Sequence, residues 1–215
     1  MISSPSGVNP KAVFTVFSLA GLQDRENAHI MALVASQACS QIGMSYPRSL
    51  FLIDECSTIL RVSPSFADLI GARFAIGRKF GQSTGLIGQD LESVFECRAA
   101  GQIMANLDFS LIGKTTTTGA QSFEGKMNIP RRLIRACASR QYEPWREQML
   151  SYWLLKWEAT GDFWKVAYGT NLLELALLSS NPHEKELKAQ YLSKSPTYSQ
   201  IATFVRAYKQ QLPNN

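Results

Sequence analysis

The sequence is poor in the features that define several classes of protein. Its 215 residues include 4 cysteines and 2 histidines, and no Cys-x-x-Cys pair occurs, so the ligand spacing of a zinc site is absent. Isolated cysteines at apolar positions are typical of reduced core residues in a cytosolic protein. No apolar run approaches the roughly 20 residues that span a bilayer, and residues 1–10 lack the apolar stretch of a secretory signal. We therefore expect a cytoplasmic protein.

Composition and charge are compatible with several classes of globular protein, including proteins that bind nucleic acid or a membrane surface. Hydrophobic residues make up 45% of the chain and charged residues 18%, which is typical of a folded globular protein. The net charge of +5 permits contact with nucleic acid or an anionic membrane surface but establishes neither, because no long run of lysine and arginine occurs. The densest arginine cluster is more typical of a solvated helix face than of a binding patch; its members are Arg131, Arg132, Arg135 and Arg140.

The order of apolar segments predicts an α/β fold. Four short segments predict strands, at residues 12–19, 49–53, 83–87 and 109–112, and the first two are apolar enough to be buried. Helical patterns separate the strands, which predicts a mainly parallel sheet with helices on its faces. We expect residues 1–10 to form a flexible leader and residues 11–125 to form this core, with a polar loop at 115–125.

The remaining residues, 126–215, predict a helical region with one β-hairpin at about 151–168. Two alternating apolar runs flank a turn there, and helical patterns lie on either side. Four tryptophans cluster around the hairpin: Trp145, Trp153, Trp157 and Trp164. Packing of one hairpin face on the core explains this alternation most simply, and a platform for stacking single-stranded nucleic acid is the alternative.

A pair of carboxylates follows the second predicted strand. Residues 49–53 are almost wholly apolar, and Asp54 and Glu55 come directly after them. Ligands of open α/β sheets bind at the carboxyl edge, where this pair would lie. Asp54 is suited to holding Mg²⁺, and Glu55 to polarising the water that attacks the γ-phosphate of ATP. An acidic pair that merely ends a buried strand is the alternative, and the surrounding α/β pattern favours the catalytic interpretation.

Two further residues near the next strand are candidates for the same site. Gln89 follows the strand at 83–87, at the predicted edge of the acidic pair, where its amide would sense the γ-phosphate or the attacking water. A simple start to the following helix explains Gln89 equally well. Arg78, at the end of the preceding helix, complements the helix dipole, which is the favoured reading. An arginine finger that reaches the nucleotide of a neighbouring subunit is the alternative.

The sequence contains no phosphate-binding loop of the form Gly-x-x-x-x-Gly-Lys-[Ser/Thr], the Walker A motif. The segment Gly113-Lys114-Thr115-Thr116 matches only the end of this pattern, because Asp108 stands where the first glycine belongs. A carboxylate there would repel phosphate, and the segment follows the acidic pair instead of preceding it. Since the backbone amides that cradle phosphate are missing, we expect this chain alone to be inactive as an ATP hydrolase.

In their order along the chain these segments resemble the conjugation and type IV secretion ATPases of the VirB/TraC class, within the RecA-like P-loop ATPases. The resemblance runs from AVFTVFSLAGL and LFLIDECSTIL through FAIGRKFGQSTGLIGQDLESVF and ANLDFSLIGK to YWLLKWEATGDFWKVAYGTNLLELALLSS. It covers the chain from about residue 11 onward, but only the latter part of a family member. It implies ATP and Mg²⁺ as ligands, Asp54 on the metal, and Glu55, Gln89 and Arg78 as catalytic residues.

The resemblance also implies a function and partners. The first hypothesis is the carboxyl-terminal part of an ATPase that energises substrate transfer through a type IV secretion or conjugation system. Its implied partners are other ATPase subunits in a homo-hexamer and inner-membrane secretion components, with peripheral attachment at that membrane. A non-catalytic remnant or accessory module that binds ring subunits is one alternative. A DNA-translocating motor of the FtsK/HerA type is another, and the basic charge is its support.

Overall fold

The structure is a computed structural model that describes residues 12–17, 25–89, 92–145, 148–178 and 181–211. By their contacts the residues divide into two compact units. The first comprises Met1–Asp108 with Gly125–Asn128, and the second comprises Phe109–Glu124 with Ile129–Asn215. Each unit has its own β-sheet, which is parallel in the first unit and antiparallel in the second.

The first unit combines a two-stranded parallel sheet with helices. Its elements are α1 (Arg25–Met44), β1 (Ser49–Ile53), α2 (Cys56–Val62), α3 (Pro64–Ile76), a 3-10 helix (Gly77–Phe80), β2 (Gln82–Leu86), α4 (Glu92–Glu96) and α5 (Ala100–Ala105). The strands pair in register from Ser49↔Gln82 to Ile53↔Leu86, so they end at the same edge. The two strands predicted at 49–53 and 83–87 are confirmed, the second with a shift of one residue.

The core of the first unit lies on one face of β1. Phe51 and Ile53 pack against buried residues of the helices, among them Phe66, Ile70 and Ile103. The alternate residues Leu50 and Leu52 are exposed on the other face. The strand therefore alternates as a half-buried strand does, although its sequence is apolar on both faces.

Local chemistry explains where α3 begins and how the chain turns into β2. Ser63 caps α3, because its hydroxyl oxygen accepts the N–H of Phe66 at 3.3 Å, and Pro64 is the first helical residue. Gly81 ends the 3-10 helix with φ = 68°, and a Cβ there would collide with the carbonyl oxygen of Pro47. Only glycine fits this left-handed position.

The structure corrects the prediction for the first apolar run. Residues 12–17 form no strand, and Val13, Phe14 and Val16 are exposed. The rest of that predicted strand and the leader at 1–10 lie outside the described residues. A strand is stable only where a neighbour pairs its backbone groups, and apolar composition does not supply that neighbour.

The second unit contains a three-stranded antiparallel sheet. Its elements are β3 (Phe109–Ile112), α6 (Thr117–Phe123), α7 (Arg131–Cys137), a 3-10 helix (Arg140–Tyr142), β4 (Leu150–Trp157), β5 (Asp162–Gly169), α8 (Leu172–Leu178), α9 (Pro182–Tyr191) and α10 (Tyr198–Gln211). β4 lies between β3 and β5. The predicted hairpin is confirmed, as are the helices after it.

Three features of the second unit differ from the prediction. The strand at 109–112 pairs antiparallel with β4 and does not extend a parallel sheet. The segment 115–125, predicted as a polar loop, contains α6, which Thr116 caps by accepting the N–H of Gly119 at 3.0 Å. One face of the hairpin is buried, as Leu154 shows, but Trp153, Trp157 and Trp164 lie on the other face and are exposed.

The last three helices form a separate small core within the second unit. Ala176, Leu187, Phe204 and Tyr208 are buried together, one or two from each helix. The Asn181 side chain and Glu184 form a capping box that starts α9. Among the described residues no helix has the length and apolarity that crossing a membrane requires.

Candidate functional site

The acidic pair lies at the carboxyl edge of the parallel sheet, as predicted. Asp54 and Glu55 follow β1 directly, and both side chains are exposed. Glu55 adopts a left-handed backbone conformation, with φ = 51° and ψ = 38°, and its N–H donates to Oδ1 of Asp54 at 3.0 Å. A glutamate in this conformation is strained by about 1–2 kcal/mol. The turn therefore holds the second carboxylate in a position that a relaxed chain would not adopt.

The structure brings Gln89 to the acidic pair. The N–H of Ile87 donates to the carbonyl oxygen of Ile53 at 2.9 Å. The carbonyl oxygen of Ile87 in turn accepts the N–H of Cys56 at 3.1 Å. These bonds fasten the segment after β2 to the turn after β1. The Gln89 amide, through Nε2, then donates to Oε1 of Glu55 at 2.8 Å. Asp54, Glu55 and Gln89 thus occupy one edge of one sheet.

The donor set at this edge fits Mg²⁺ in part. Mg²⁺ in phosphate-transferring sites is held by one or two carboxylates together with waters and phosphate oxygens. Asp54 and Glu55 supply two adjacent exposed carboxylates at the edge. The described part of the chain has no group of three or more His, Cys, Asp or Glu residues that could hold a metal by themselves. The pair is therefore suited to Mg²⁺ only when phosphate supplies further ligands.

A buried arginine supports the strand that carries the pair, and the sequence analysis did not identify it. Arg73 lies in α3 with its guanidinium carbon 4.3 Å from the centroid of the Phe51 ring, and Nη2 donates to the carbonyl oxygen of Ser36 in α1. Its Nε has no hydrogen-bond partner among the described residues. Burial lowers the pKa of Arg73 from its usual value. This side chain ties α1 and α3 to the underside of β1, three residues before Asp54.

Arg78 does not lie with the other candidates. It is in the 3-10 helix that precedes β2, so it is at the amino end of the strands, opposite the acidic edge. Its Nη2 lies 3.5 Å from Oδ1 of Asp108, and both side chains are largely exposed. An exposed ion pair of this kind stabilises little. The arginine-finger role requires a neighbouring subunit and stays a prediction.

The lysine of the segment Gly113-Lys114-Thr115-Thr116 makes hydrogen bonds within the fold. Nζ of Lys114 donates to the carbonyl oxygens of Ala138 and Ser139 at 2.9 and 3.0 Å. These carbonyls lie at the carboxyl end of α7, where a cation is favoured. Because Lys114 already bonds to backbone carbonyls, it is not placed to bind phosphate, in agreement with the sequence analysis.

Two clefts of the molecule lie elsewhere. One of about 320 Å³ is lined by residues of α6 and α7 and their flanks, and one of about 270 Å³ by residues between α2 and α4. Neither is lined by Asp54, Glu55 or Gln89. All three of these side chains are exposed to solvent.

The comparisons with known proteins bear on the fold. No protein-family model and no curated protein matches the sequence. Two solved structures are similar at TM-scores of 0.50 and 0.51. The first is B204, the DNA-packaging ATPase from Sulfolobus Turreted Icosahedral Virus, with 12% identity over 69% of this chain and 65% of that one. The second is the genome packaging NTPase B204 from Sulfolobus turreted icosahedral virus 2 in complex with AMPPCP, with 13% identity over 74% of each chain.

This similarity confirms the predicted fold class. The chain has a mixed α/β fold with a parallel sheet, similar to that of these two packaging proteins. The chain spans slightly less than two thirds of the length of the first of them. At 12–13% identity the likeness extends to the fold alone. It gives no support to the VirB/TraC class in particular.

Proposed function

We propose that this chain supplies the hydrolytic half of an ATP site in a P-loop motor that translocates its substrate. One observation carries the proposal: the left-handed Glu55 is held by Gln89 at the carboxyl edge of a parallel sheet. Strained residues persist where the surrounding structure holds them, and they cluster at catalytic sites. The likeness to packaging ATPases, one of them bound to the ATP analogue AMPPCP, supports ATP as the ligand.

We propose a separate task for each of the three residues. Glu55 accepts a proton from the attacking water, and its carboxylate is exposed to solvent from which that water comes. Gln89 orients Glu55 through its amide and is placed to respond when the γ-phosphate leaves. Asp54 would hold Mg²⁺, which, when bound, neutralises charge on the β- and γ-phosphates.

The phosphate cradle must come from a segment other than these 215 residues. The sequence holds no Gly-x-x-x-x-Gly-Lys-[Ser/Thr] pattern, and Lys114 is bonded to backbone carbonyls. The acidic edge is complete only beside a polypeptide that carries such a loop. That polypeptide is either encoded upstream of Met1 or supplied by a ring partner.

The translocated substrate is proposed to be DNA. Both similar structures are described as packaging ATPases, the first a DNA-packaging one, and the net charge of +5 suits a polyanion. This favours the DNA-translocating alternative over substrate transfer in type IV secretion. A ring of subunits, with Arg78 reaching the nucleotide of a neighbour, belongs to either version.

Labelled ATP tests the half-site. The chain is mixed with the polypeptide that carries the phosphate loop, taken from the upstream coding region or from the ring partners. ATP binding and phosphate release are measured for each component and for the mixture, which is called the complemented preparation below. We expect the mixture alone to bind ATP and release phosphate, because only it contains both halves. Absence of binding and turnover from every mixture would favour the non-catalytic accessory module.

The DNA version has its own test. Fluorescence anisotropy of a labelled duplex is measured with the complemented preparation between about 50 and 200 mM salt. We expect affinity to fall as salt rises, because each neutralised phosphate releases counterions. Affinity that is undetectable at low salt contradicts DNA as the substrate and favours the secretion ATPase.

A further inference from the structure

The sheet of the second unit carries large apolar side chains on both faces. Antiparallel sheets usually pack one face on the core and present polar side chains on the other. Here the inner face carries the buried Ile112 and Leu154. The outer face carries six exposed large residues, which define the aromatic face: Phe109, Leu111, Trp153, Trp157, Trp164 and Tyr168.

Both lysines of this sheet lie on the inner side. Lys156 is buried there, 2.6 Å from a carboxylate oxygen of Glu158. Lys165, on the same side in the register, lies over the rings of Tyr142 and Tyr152. A sheet whose outer face were meant for water would have the opposite arrangement. The distribution indicates that the aromatic face is covered in the working protein.

The composition of the aromatic face is that of a protein interface core. Interface cores are depleted in charge and enriched in tryptophan, tyrosine and phenylalanine. On this face the one charged strand residue is Asp162, at the hairpin end. Stacking of nucleic acid requires cations that track the phosphates, and the strands place none on this face. The rings are already ordered, since Phe109 and Trp157 stack with centroids 6.1 Å apart and planes 6° from parallel.

The area of the face matches what an association between two copies needs. Its six residues are 37–58% exposed. At about 200 Å² for a fully exposed residue of this size they present roughly 550 Å². Two copies facing each other would remove about 1,100 Å² from water before any polar rim is counted, and a specific interface needs about 1,000 Å². A face that meets itself forms a closed pair, because a two-fold axis uses the same patch twice.

We propose that the aromatic face is a homodimer interface, in which the three-stranded sheets of two copies pack face to face as a sandwich. The sheets would lie about 10 Å apart with their side chains interdigitated. The row formed by Leu111, Leu155 and Trp164 crosses all three strands at the centre of the face. This interface is independent of the acidic edge and of whether the chain hydrolyses ATP.

Charge placed in the central row tests the interface. The full chain is studied by light scattering from below 1 µM to about 100 µM, a range in which interfaces of this size assemble. We expect the mass to rise from 23.9 kDa to twice that value, with a blue shift of tryptophan emission as the rings leave water. Leu111→Lys with Trp164→Lys should raise the dissociation constant about 100-fold or more, because two buried unpaired charges oppose association.

Two controls separate this effect from unfolding. Leu111→Val with Trp164→Phe keeps the face apolar and should keep the dimer. Tyr198→Lys changes an exposed aromatic residue on α10, off the face, and should also leave the mass unchanged. A wild-type chain that stays monomeric at about 100 µM, or an assembly that survives the two lysines, overturns the proposal. So does a monomer whose tryptophan emission is quenched by oligothymidine, which would assign the face to single-stranded nucleic acid.

Discussion

Two strands of this protein, β1 and β3, end in a polar turn that leads into a short helix, yet the two turns are used differently. After β1, the side chains of Asp54 and Glu55 point to solvent, and the carboxylate of Glu55 is met by the amide of Gln89. After β3, Lys114 is bonded to two backbone carbonyls, and Thr116 caps the following helix. Lys114 thus bonds to the backbone of its own fold, whereas Asp54 and Glu55 each accept one hydrogen bond and are still exposed to solvent.

The difference explains why the segment that matches the end of the Walker A motif is not expected to bind phosphate. The sequence Gly113-Lys114-Thr115-Thr116 matches the end of the phosphate-loop pattern, but its lysine bonds to the carboxyl end of α7. The acidic turn after β1 has a less specific sequence, but its Glu55 is exposed and has a strained, left-handed backbone conformation.

Asp54→Asn should have a large effect on turnover. In the complemented preparation we expect phosphate release to fall about 100-fold and to require more Mg²⁺, because an amide holds the cation less well than a carboxylate. The measurement is turnover against Mg²⁺ concentration. Glu96→Gln, an exposed carboxylate in α4, is the matched control. Equal losses in both variants would remove Asp54 from the site.

Lys114→Met should act on stability and not on turnover. Loss of two charge-assisted bonds to the end of α7 should lower the free energy of unfolding by about 1–2 kcal/mol. Urea unfolding of the full chain measures this change, and the complemented preparation should keep most of its phosphate release. A variant that is stable but cannot hydrolyse ATP would mean that the turn after β3 is the phosphate loop after all.

Glu55→Gly should have a small effect on stability and should slightly stabilise the protein. Glycine relieves the left-handed strain but gains freedom in the unfolded chain, so we expect a net increase of roughly 0.5 kcal/mol in the free energy of unfolding. Glu96→Gly, at the end of α4, should lower it by roughly 0.5–1 kcal/mol. If both variants lose stability equally, the conformation of Glu55 is not strained.

The buried thiol of Cys137, at the end of α7, should make the free energy of unfolding depend on pH in the alkaline range. Burial raises the pKa of Cys137 from its usual value to about 11, and its carbonyl accepts the N–H of Thr115. Between pH 9 and 11 the thiol ionises in the unfolded chain but not in the folded one, so stability is lost as the pH rises. Cys137→Ala should weaken this loss in unfolding curves. An identical pH dependence in both proteins contradicts a buried, neutral thiol.

The strands and the acidic edge could be predicted because their signals are local. The apolar run at 49–53 followed by Asp54 and Glu55 places a polar pair at a strand end, and parallel pairing then places Gln89 beside it. The left-handed turn at Glu55 has no such signal, since it depends on the tertiary bonds to β2. Arg73 was missed because a buried arginine looks like any helix arginine in the sequence.

Pairing partners and the choice of buried face are the parts that the sequence leaves open. The strand at 109–112 pairs with β4, about forty residues further on, and nothing within the strand specifies that partner. Residues 12–17 have the composition of a strand but pair with no neighbour. Alternation in the hairpin shows that two faces differ and does not say which is covered, so the tryptophans were assigned to the wrong side.

The account depends most directly on the role of Glu55. Single-turnover phosphate release and ATP binding are measured in the complemented preparation with Glu55→Gln, beside Lys114→Met. We predict that Glu55→Gln slows phosphate release about 100-fold or more while ATP binding is retained, because the amide keeps the shape but cannot accept the proton. Lys114→Met should retain turnover. Unchanged phosphate release in Glu55→Gln, with a loss in Lys114→Met, would contradict the account.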